Sequence, residues 1–312
     1  MARTSSARLR PETIRSKPVR MDKVFDDPER VIETIRARAP FPTMVAYMGH
    51  GVPDAGPVGI PWFLDRPDEA FIVENPQWYA AAREAFDCEI VRPIHVTLNL
   101  NGPAPLGLPH IDQPKFRGVG EDGVPLWMQM AMSRSGLFID WLAPVASGLV
   151  WFWKGEGGEF EYWPDGADAP SVIAERPMWN TGVMSDNEVM WHRVGAFGPP
   201  DQQDILARQL RTDAMLHRTG SGWEVRQNGD ALLGFADGDV RLAMLWKAYV
   251  FKDGAHLASF EDQRFDLDLD QITDIFQADL GERGIDVARP DDPESDDAWR
   301  LLLDEIYKTP FD

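Results

Sequence analysis

Cysteine is nearly missing from this chain: Cys88 is the only one in 312 residues. A lone cysteine excludes an intramolecular disulfide framework and a cysteine-rich zinc site, and it suits a reducing, cytoplasmic setting. Long apolar runs are missing as well. Nothing approaches the roughly 18 consecutive apolar residues of a membrane span, so no membrane partner is expected. Basic residues are scarce, 31 Lys and Arg against 51 Asp and Glu, giving a net charge of −20 and a pI near 4.6. Phosphate binding needs a basic surface, so nucleic acid is not expected as a partner either. Three motif fragments also lack a required part. Gly155-x-Gly157-Gly158 opens no helix and is no dinucleotide fingerprint. Asp266-x-Asp268-x-Asp270 lacks the Gly and Glu of a calcium loop. Gly182-x-x-Ser185 lacks the elbow pattern of a hydrolase.

What is present is a chain 44% hydrophobic, long enough for one large domain or two small ones. Residues 1–20, MARTSSARLRPETIRSKPVR, run against the acidic whole, with Glu12 the only acid. They read as a flexible basic tail or an arm over the acidic body. A transit peptide is the weaker reading, since no amphipathic apolar face is evident. Residues 21–88 read as a helical and loop flank. The pattern DPERVIETIRARA starts a helix at Asp27, with Asp at the cap, Pro at the first position, and Val31 and Ile35 on one side. Residues 40–67 are dense in Pro and Gly and read as loop, with His50 a spare metal-ligand candidate. Asn75 to Ala85 is a second helix, again opening on Asn-Pro.

From Glu89 the period changes to two. Ile90, Ile94, Val96, Leu98 and Leu100 share one strand face, and His95, Thr97 and Asn99 share the other. Such a strand fits a barrel whose lumen is a site and whose exterior lies under helices, or an edge strand with one wet face. The turn NGPAPLGLP follows and delivers His110 and Asp112. Further strands are expected at Pro125–Ser133, Leu137–Leu142, Gly148–Trp153, Glu159–Trp163, Val172–Ala174 and Val189–Val194. Close spacing of short strands predicts an all-β barrel or sandwich over residues 89–251. Within it, residues 199–236 read as an insert. Asp201–Arg218 has a helical pattern ending near His217, and a hairpin Gly222–Gln227, Asn228-Gly229, Ala231–Phe235 comes next. The strand VRLAMLWKAYVF, Val240–Phe251, closes the core. Residues 252–312 form an acidic flank with helices over Leu269–Leu280 and Asp296–Tyr307.

The chemistry gathers at Leu108-Pro109-His110-Ile111-Asp112. In an extended segment, residues two apart point to the same side, so His110 and Asp112 offer an imidazole and a carboxylate to one point. A second imidazole, His192 of Met190-Trp191-His192-Arg193, would complete a two-His, one-carboxylate face that leaves about three positions of octahedral Fe(II) open.

The order of H-x-D after an early strand, the strand GGEFEYW, a strand carrying His and a later strand opening with Arg resembles the Fe(II)/2-oxoglutarate-dependent oxygenases. The resemblance covers about Glu89 to Phe251. It implies a mainly β fold, a double-stranded β-helix (jelly-roll barrel) with flanking helices. It implies Fe(II) held by His110, Asp112 and His192, with 2-oxoglutarate and O2 as cosubstrates. It also implies hydroxylation of an unactivated C–H bond of a small-molecule substrate, with release of succinate and CO2. Asp112 stands where the halogenating branch has Gly or Ala, which implies hydroxylation rather than chlorination. An Arg on the last core strand holds the far carboxylate of 2-oxoglutarate, and Arg241 takes that place. Lys247, on the same strand face, is the second candidate. In the family this Arg follows the distal His more closely than here, where a helix and hairpin are expected between. Arg193 has opposite parity to His192 and should point away. Asn99, or His95 or Thr97 beside it, would reach the other end of the cosubstrate. Lys115, Arg117, Trp127, Gln129 and Trp141 are candidates to meet the substrate. Two other readings remain: a cupin-type metal enzyme that does not use 2-oxoglutarate, and a non-enzymatic β-barrel binding protein.

Overall fold

The computed structural model describes residues 15–43, 46, 67–119, 124–203, 210–263 and 266–311. Most of the N-terminal tail and His50 lie outside them. The strands are, in chain order, β1 (Val19–Met21), β2 (Phe41–Pro42), β3 (Ile90–Asn101), β4 (Val145–Phe152), β5 (Phe160–Trp163) and β6 (Val172–Ile173). Then come β7 (Trp179–Ser185), β8 (Trp191–Val194), β9 (Met215–Arg218), β10 (Gly222–Gln227), β11 (Asp230–Ala236) and β12 (Arg241–Phe251). Among the described residues they form a five-stranded sheet β1-β7-β4-β12-β3, a four-stranded sheet β11-β10-β9-β2 and a three-stranded sheet β6-β5-β8. Every pairing is antiparallel. Among the same residues no helix is long and apolar enough to cross a membrane.

The two faces of the five-stranded sheet serve different cores, as the period-two pattern of β3 predicts. Val96, Leu98 and Leu100 turn outward with Trp246 and Met244 and are fully buried beneath Trp78, Ala82 and Phe86. Those three come from the helix Pro76–Phe86, which starts where the Asn75 side chain accepts a hydrogen bond from the Gln77 N–H. The earlier helix, Pro28–Ala37, is capped by Asp27 in the same way and buries Val31, Ile32 and Ile35. The opposite face carries Leu149, Trp151, Val183 and Ala243. These meet Phe160, Met190 and Phe197 from the three-stranded sheet and its continuations. The space between these two sheets is therefore a packed interior, which His192 borders through its ring contact with Phe160.

The three-stranded sheet gains a further irregular member. The Ala104 and Gly107 amides donate to Phe197 and Val194 carbonyls, and His110 and His192 exchange both backbone hydrogen bonds at 2.9 Å. A third core lies beside the motif, where Phe116, Met132 and Phe138 meet Phe276, Leu280 and Leu303.

Three expectations change. Pro125–Ser133 is not a strand: Leu126–Ser135 is a helix that ends at Gly136 in a left-handed conformation, φ +68°. LWMQMAMS is apolar except for Gln129 and Ser133, so it carries no period-two alternation. It also holds no β-branched residue, and its Leu, Met and Ala favour helix. Burial of Met128, Gln129, Ala131 and Met132 follows the helical spacing. Leu137–Leu142 is likewise no strand but a short 3-10 turn at Ile139–Trp141. In the insert, Pro200–Gln202 is one 3-10 turn, residues 204–209 lie outside the described residues, and Met215–Arg218 is strand. His217 sits opposite Glu224 of β10 rather than at a helix end. The hairpin β10–β11 supplies a paired edge, and that tertiary partner overrides the helical pattern of the sequence.

Trp78 shows how closely the helix is seated. Its ring stacks on Trp246 at 5.7 Å and 10°, and its indole N–H donates to the Ile72 carbonyl. A Cβ on Gly148 would stand 2.8 Å from that ring, so only glycine lets the ring lie on the sheet. Trp78→Ala is expected to cost about 3–5 kcal/mol. Gly148→Val is expected to cost about 1–3 kcal/mol. Urea unfolding of the variants checks both.

Candidate metal centre

Pro109 and the backbone exchange with His192 fix the chain around His110, and the pleat then sends both imidazoles to one side. The two rings lie 4.4 Å apart, centroid to centroid. Each Nδ1 is 2.9 Å from the carbonyl two residues back, Leu108 for His110 and Met190 for His192. A carbonyl only accepts, so in each neutral ring Nδ1 carries the proton and Nε2 keeps its lone pair. That is how a histidine is prepared to ligate a metal. Asp112 follows with the same parity, and its Oδ1 is 3.5 Å from His192 Nε2. Ligand atoms of His110, Asp112 and His192 all lie within 4.8 Å of one another.

Asp112 is held from behind. Its amide donates to the Asn187 carbonyl, and Asn187 receives the Ser185 hydroxyl on its side chain. Lys247 Nζ, from the facing sheet, is 2.8 Å from Asp112 Oδ2 and 3.2 Å from Glu188 Oε1. The Lys115 amide donates to the other oxygen of Glu188. Burial alone would raise the Asp112 pKa, but the charge of Lys247 and then the His192 contact outweigh it and hold the carboxyl below its usual range. Desolvation raises Glu188, with Lys247 opposing and Asp112 adding to the rise. For Lys247, burial is the largest influence and would lower the pKa, yet Asp112 and Glu188 together raise it. His110 keeps an exposed edge at the rim, and its pKa is lowered, first by desolvation and then by His192.

Arg241 heads β12 and is 2% exposed. Its Nε donates to the Gly158 carbonyl at 2.9 Å, while Nη2 is buried with no hydrogen-bond partner among the described residues. Burial pushes the guanidinium down to about 10, with Glu159 partly offsetting it. Gly158 has φ +68°, and a Cβ there would stand 2.9 Å from Arg241 Cδ, so the guanidinium depends on a glycine beside it. Asn99 faces the same interior, opposite Ala243 in the register. Arg193 turns the other way and pairs with Glu161 at 2.6 Å. Arg117, 5% exposed, donates to the Asp262 carbonyl and lies 3.5 Å from Asp266. Trp127 and Gln129 sit on the helix rather than on a strand. Trp127 packs into the helical core, and Gln129 donates to the Val124 carbonyl and is 3.5 Å from Gln113. The contacts of these three run to the helical layer. A cavity of about 280 Å³ touches Ile111, Val189 and Trp191, the residues of opposite parity to the ligands, and so lies behind the centre.

Sequence reasoning missed Glu188 and the contact of Lys247 with Asp112. The available signal was an acid four residues before His192, next to the apolar Val189-Met190-Trp191.

The chain matches no family model and no curated protein. Among solved structures it is similar to a prolyl-4-hydroxylase from Pseudomonas putida. The identity is 12%, covering 76% of this chain and 94% of that one, with a TM-score of 0.39. A 2OG-Fe(II) oxygenase family oxidoreductase from Burkholderia pseudomallei is 13% identical, covering 75% and 85%, with a TM-score of 0.39. HygX from Streptomyces hygroscopicus, solved with nickel and 2-oxoglutarate, is 10% identical, covering 75% and 82%, with a TM-score of 0.37. These similar structures are of the 2OG-Fe(II) oxygenase family, the family that the sequence resembles.

The donor set fits a divalent metal: two imidazole Nε2 atoms with free lone pairs and one ionised carboxylate converge. The anaerobic protein is expected to take up about one Fe(II) per chain, and His110→Ala or His192→Ala to lose it, because two ligands hold such a metal poorly. Binding requires neutral imidazoles. Since the His110 pKa is lowered, its ligating form persists through neutral pH, and affinity should fall only as the solution becomes acidic. Metal titrations across pH measure this.

His95, opposite Lys247 in the register, gives a second pH effect. Desolvation, then Lys247 and Lys115, lower its pKa to about 4 from an ordinary 6.5. The unfolded chain therefore takes up this proton first, and stability is lost as pH falls from about 6.5 toward 4. His95→Gln should flatten that part of the melting-temperature profile.

Proposed function

We propose that this chain is an Fe(II)- and 2-oxoglutarate-dependent oxygenase that hydroxylates a C–H bond of a small organic molecule in the cytoplasm. The observation that carries the reading is the convergence of His110, Asp112 and His192 within 4.8 Å, with both histidine tautomers set for ligation. Strand order supports it. The sheet β7-β4-β12-β3 packs against β5, β8 and their continuations, two facing antiparallel sheets of the kind a double-stranded β-helix requires.

In this reading His110, Asp112 and His192 hold the iron, and the buried, unpartnered Nη2 of Arg241 takes the far carboxylate of 2-oxoglutarate. Arg suits that task because its planar fork meets a carboxylate at two points and stays charged when buried. Asn99 stands between, on the same interior face. Iron with 2-oxoglutarate and O2 supplies the oxidant for the C–H bond and yields succinate and CO2. The protein's part is to orient and to exclude water. Leu149, Trp151 and Val183 line that interior and are all buried. Leu106 and Leu108, 52% and 76% exposed, precede His110 and give the open rim an apolar side for the substrate. Arg117, Trp127 and Gln129 act on substrate through the helical layer that holds them. A plain binding barrel gives no role to two histidines whose tautomers are set for ligation beside an ionised carboxylate.

Purified protein with Fe(II) and 2-oxoglutarate is expected to form succinate, and a panel of small molecules to include one that accelerates it. Acceleration by peptides instead would move the substrate class. Arg241→Ala should leave iron uptake in place while weakening 2-oxoglutarate by about 2–4 kcal/mol, or roughly 30- to 1000-fold. Unchanged 2-oxoglutarate dependence in that variant would refute the anchor.

A further inference from the structure

We propose that Lys247 is a positioning residue for the metal centre: backed by Glu188, its ammonium holds Oδ2 of Asp112, leaving Oδ1 alone to face the metal. The inference rests on His110, Asp112 and His192 being a metal site. Lys247 comes from β12, on the sheet opposite the histidines, and its side chain is 7% exposed. It is 2.8 Å from Asp112 Oδ2 and 3.2 Å from Glu188 Oε1. Glu188 is 2% exposed and fixed by the Lys115 amide through its second oxygen. Asp112 Oδ1, in contrast, turns toward His192 Nε2. The two carboxylate oxygens are thus divided between two neighbours. The Lys247 contact is ionic in kind, since Nζ is close to Oδ2 but off the line of a hydrogen bond.

The division matters for coordination. A carboxylate free to turn can give a metal both oxygens and fill a position that the chemistry needs open. With Oδ2 drawn to Lys247, Asp112 supplies one oxygen, and about three octahedral positions remain. Lysine suits this task because a compact ammonium is a point charge that can sit close to two carboxylates at once. Glu188, 3.2 Å away, adds a second anion that offsets the cost of burying the ammonium, while the contact with Asp112 does the orienting. This also separates the two cations of β12. Lys247 is committed to two carboxylates, whereas Arg241 keeps an unpartnered nitrogen.

The test uses the full, metal-free chain and Co(II) alone, followed by ligand-field absorption. Lys247→Met with Glu188→Gln removes a cation and its counter-anion together, so the net charge near Asp112 is kept and orientation is isolated. Co(II) affinity is expected to fall roughly tenfold and the absorption band to change shape, as for loss of a partner that orients a ligand. Glu188→Gln alone, which keeps the Lys247–Asp112 contact, is expected to retain the wild-type spectrum. Unchanged or tighter binding with an unchanged spectrum in the double variant overturns the proposal. So does an altered spectrum in Glu188→Gln alone, an arm that decides even if the double variant does not fold. A raised 2-oxoglutarate requirement with intact Co(II) binding would make Lys247 a cosubstrate anchor and overturn it too. Wild-type protein that binds no Co(II), or binds it equally well as His110→Ala, brings down the metal-site reading itself.

Discussion

Two cations are buried on one face of β12, and a buried cation is costly unless an anion meets it. Period-two alternation leaves no choice about the face: with Trp246 and Met244 in the outer core, Lys247 and Arg241 must enter the space between the sheets. Lys247 is met within the chain by Asp112 and Glu188. Among the described residues, Arg241 has a carbonyl on Nε and the more distant charge of Glu159. The interior is therefore closely paired at the Asp112 end and, among those residues, short of a contacting anion at the other. That asymmetry gives the site its direction, from the rim at His110 to the guanidinium beside Gly158.

Local geometry was legible in the sequence wherever parity decides it. The shared side of His110 and Asp112, the outward turn of Arg193, and the two faces of β3 all follow from a period of two. Caps were legible too, since Asp27-Pro28 and Asn75-Pro76 begin helices for reasons contained in two residues. The segment 126–135 was not read correctly, because a nearly continuous apolar run fits a buried strand or a buried helix, and the weight of its Leu, Met and Ala was missed. Met215–Arg218 was not, because its partner β10 supplies the edge that makes it a strand. The hold on Asp112 was invisible for a similar reason. Lys247 and Glu188 are far apart in the chain and meet only when the two sheets close.

The insert between β8 and β12 accounts for the departure from the spacing expected between the distal histidine and the arginine. Its strands β9, β10 and β11 pair among themselves and with Phe41–Pro42, in a sheet separate from the other two. An excursion that satisfies its own backbone can be long without moving its ends. The chain leaves after β8 and returns at Arg241 in register with Asn101.

The place of β12 in that order has a kinetic consequence. It is an inner strand of the five-stranded sheet, yet it is made after both of its neighbours, pairing with residues 90–101 on one side and 145–152 on the other. During synthesis β3 and β4 therefore wait with facing edges unpaired, the condition that invites chain-to-chain pairing. Contacts so distant in sequence also form slowly. His110, Asp112 and His192 all emerge before Lys247, so through that interval the nascent chain carries these three side chains without the cation that pairs with Asp112.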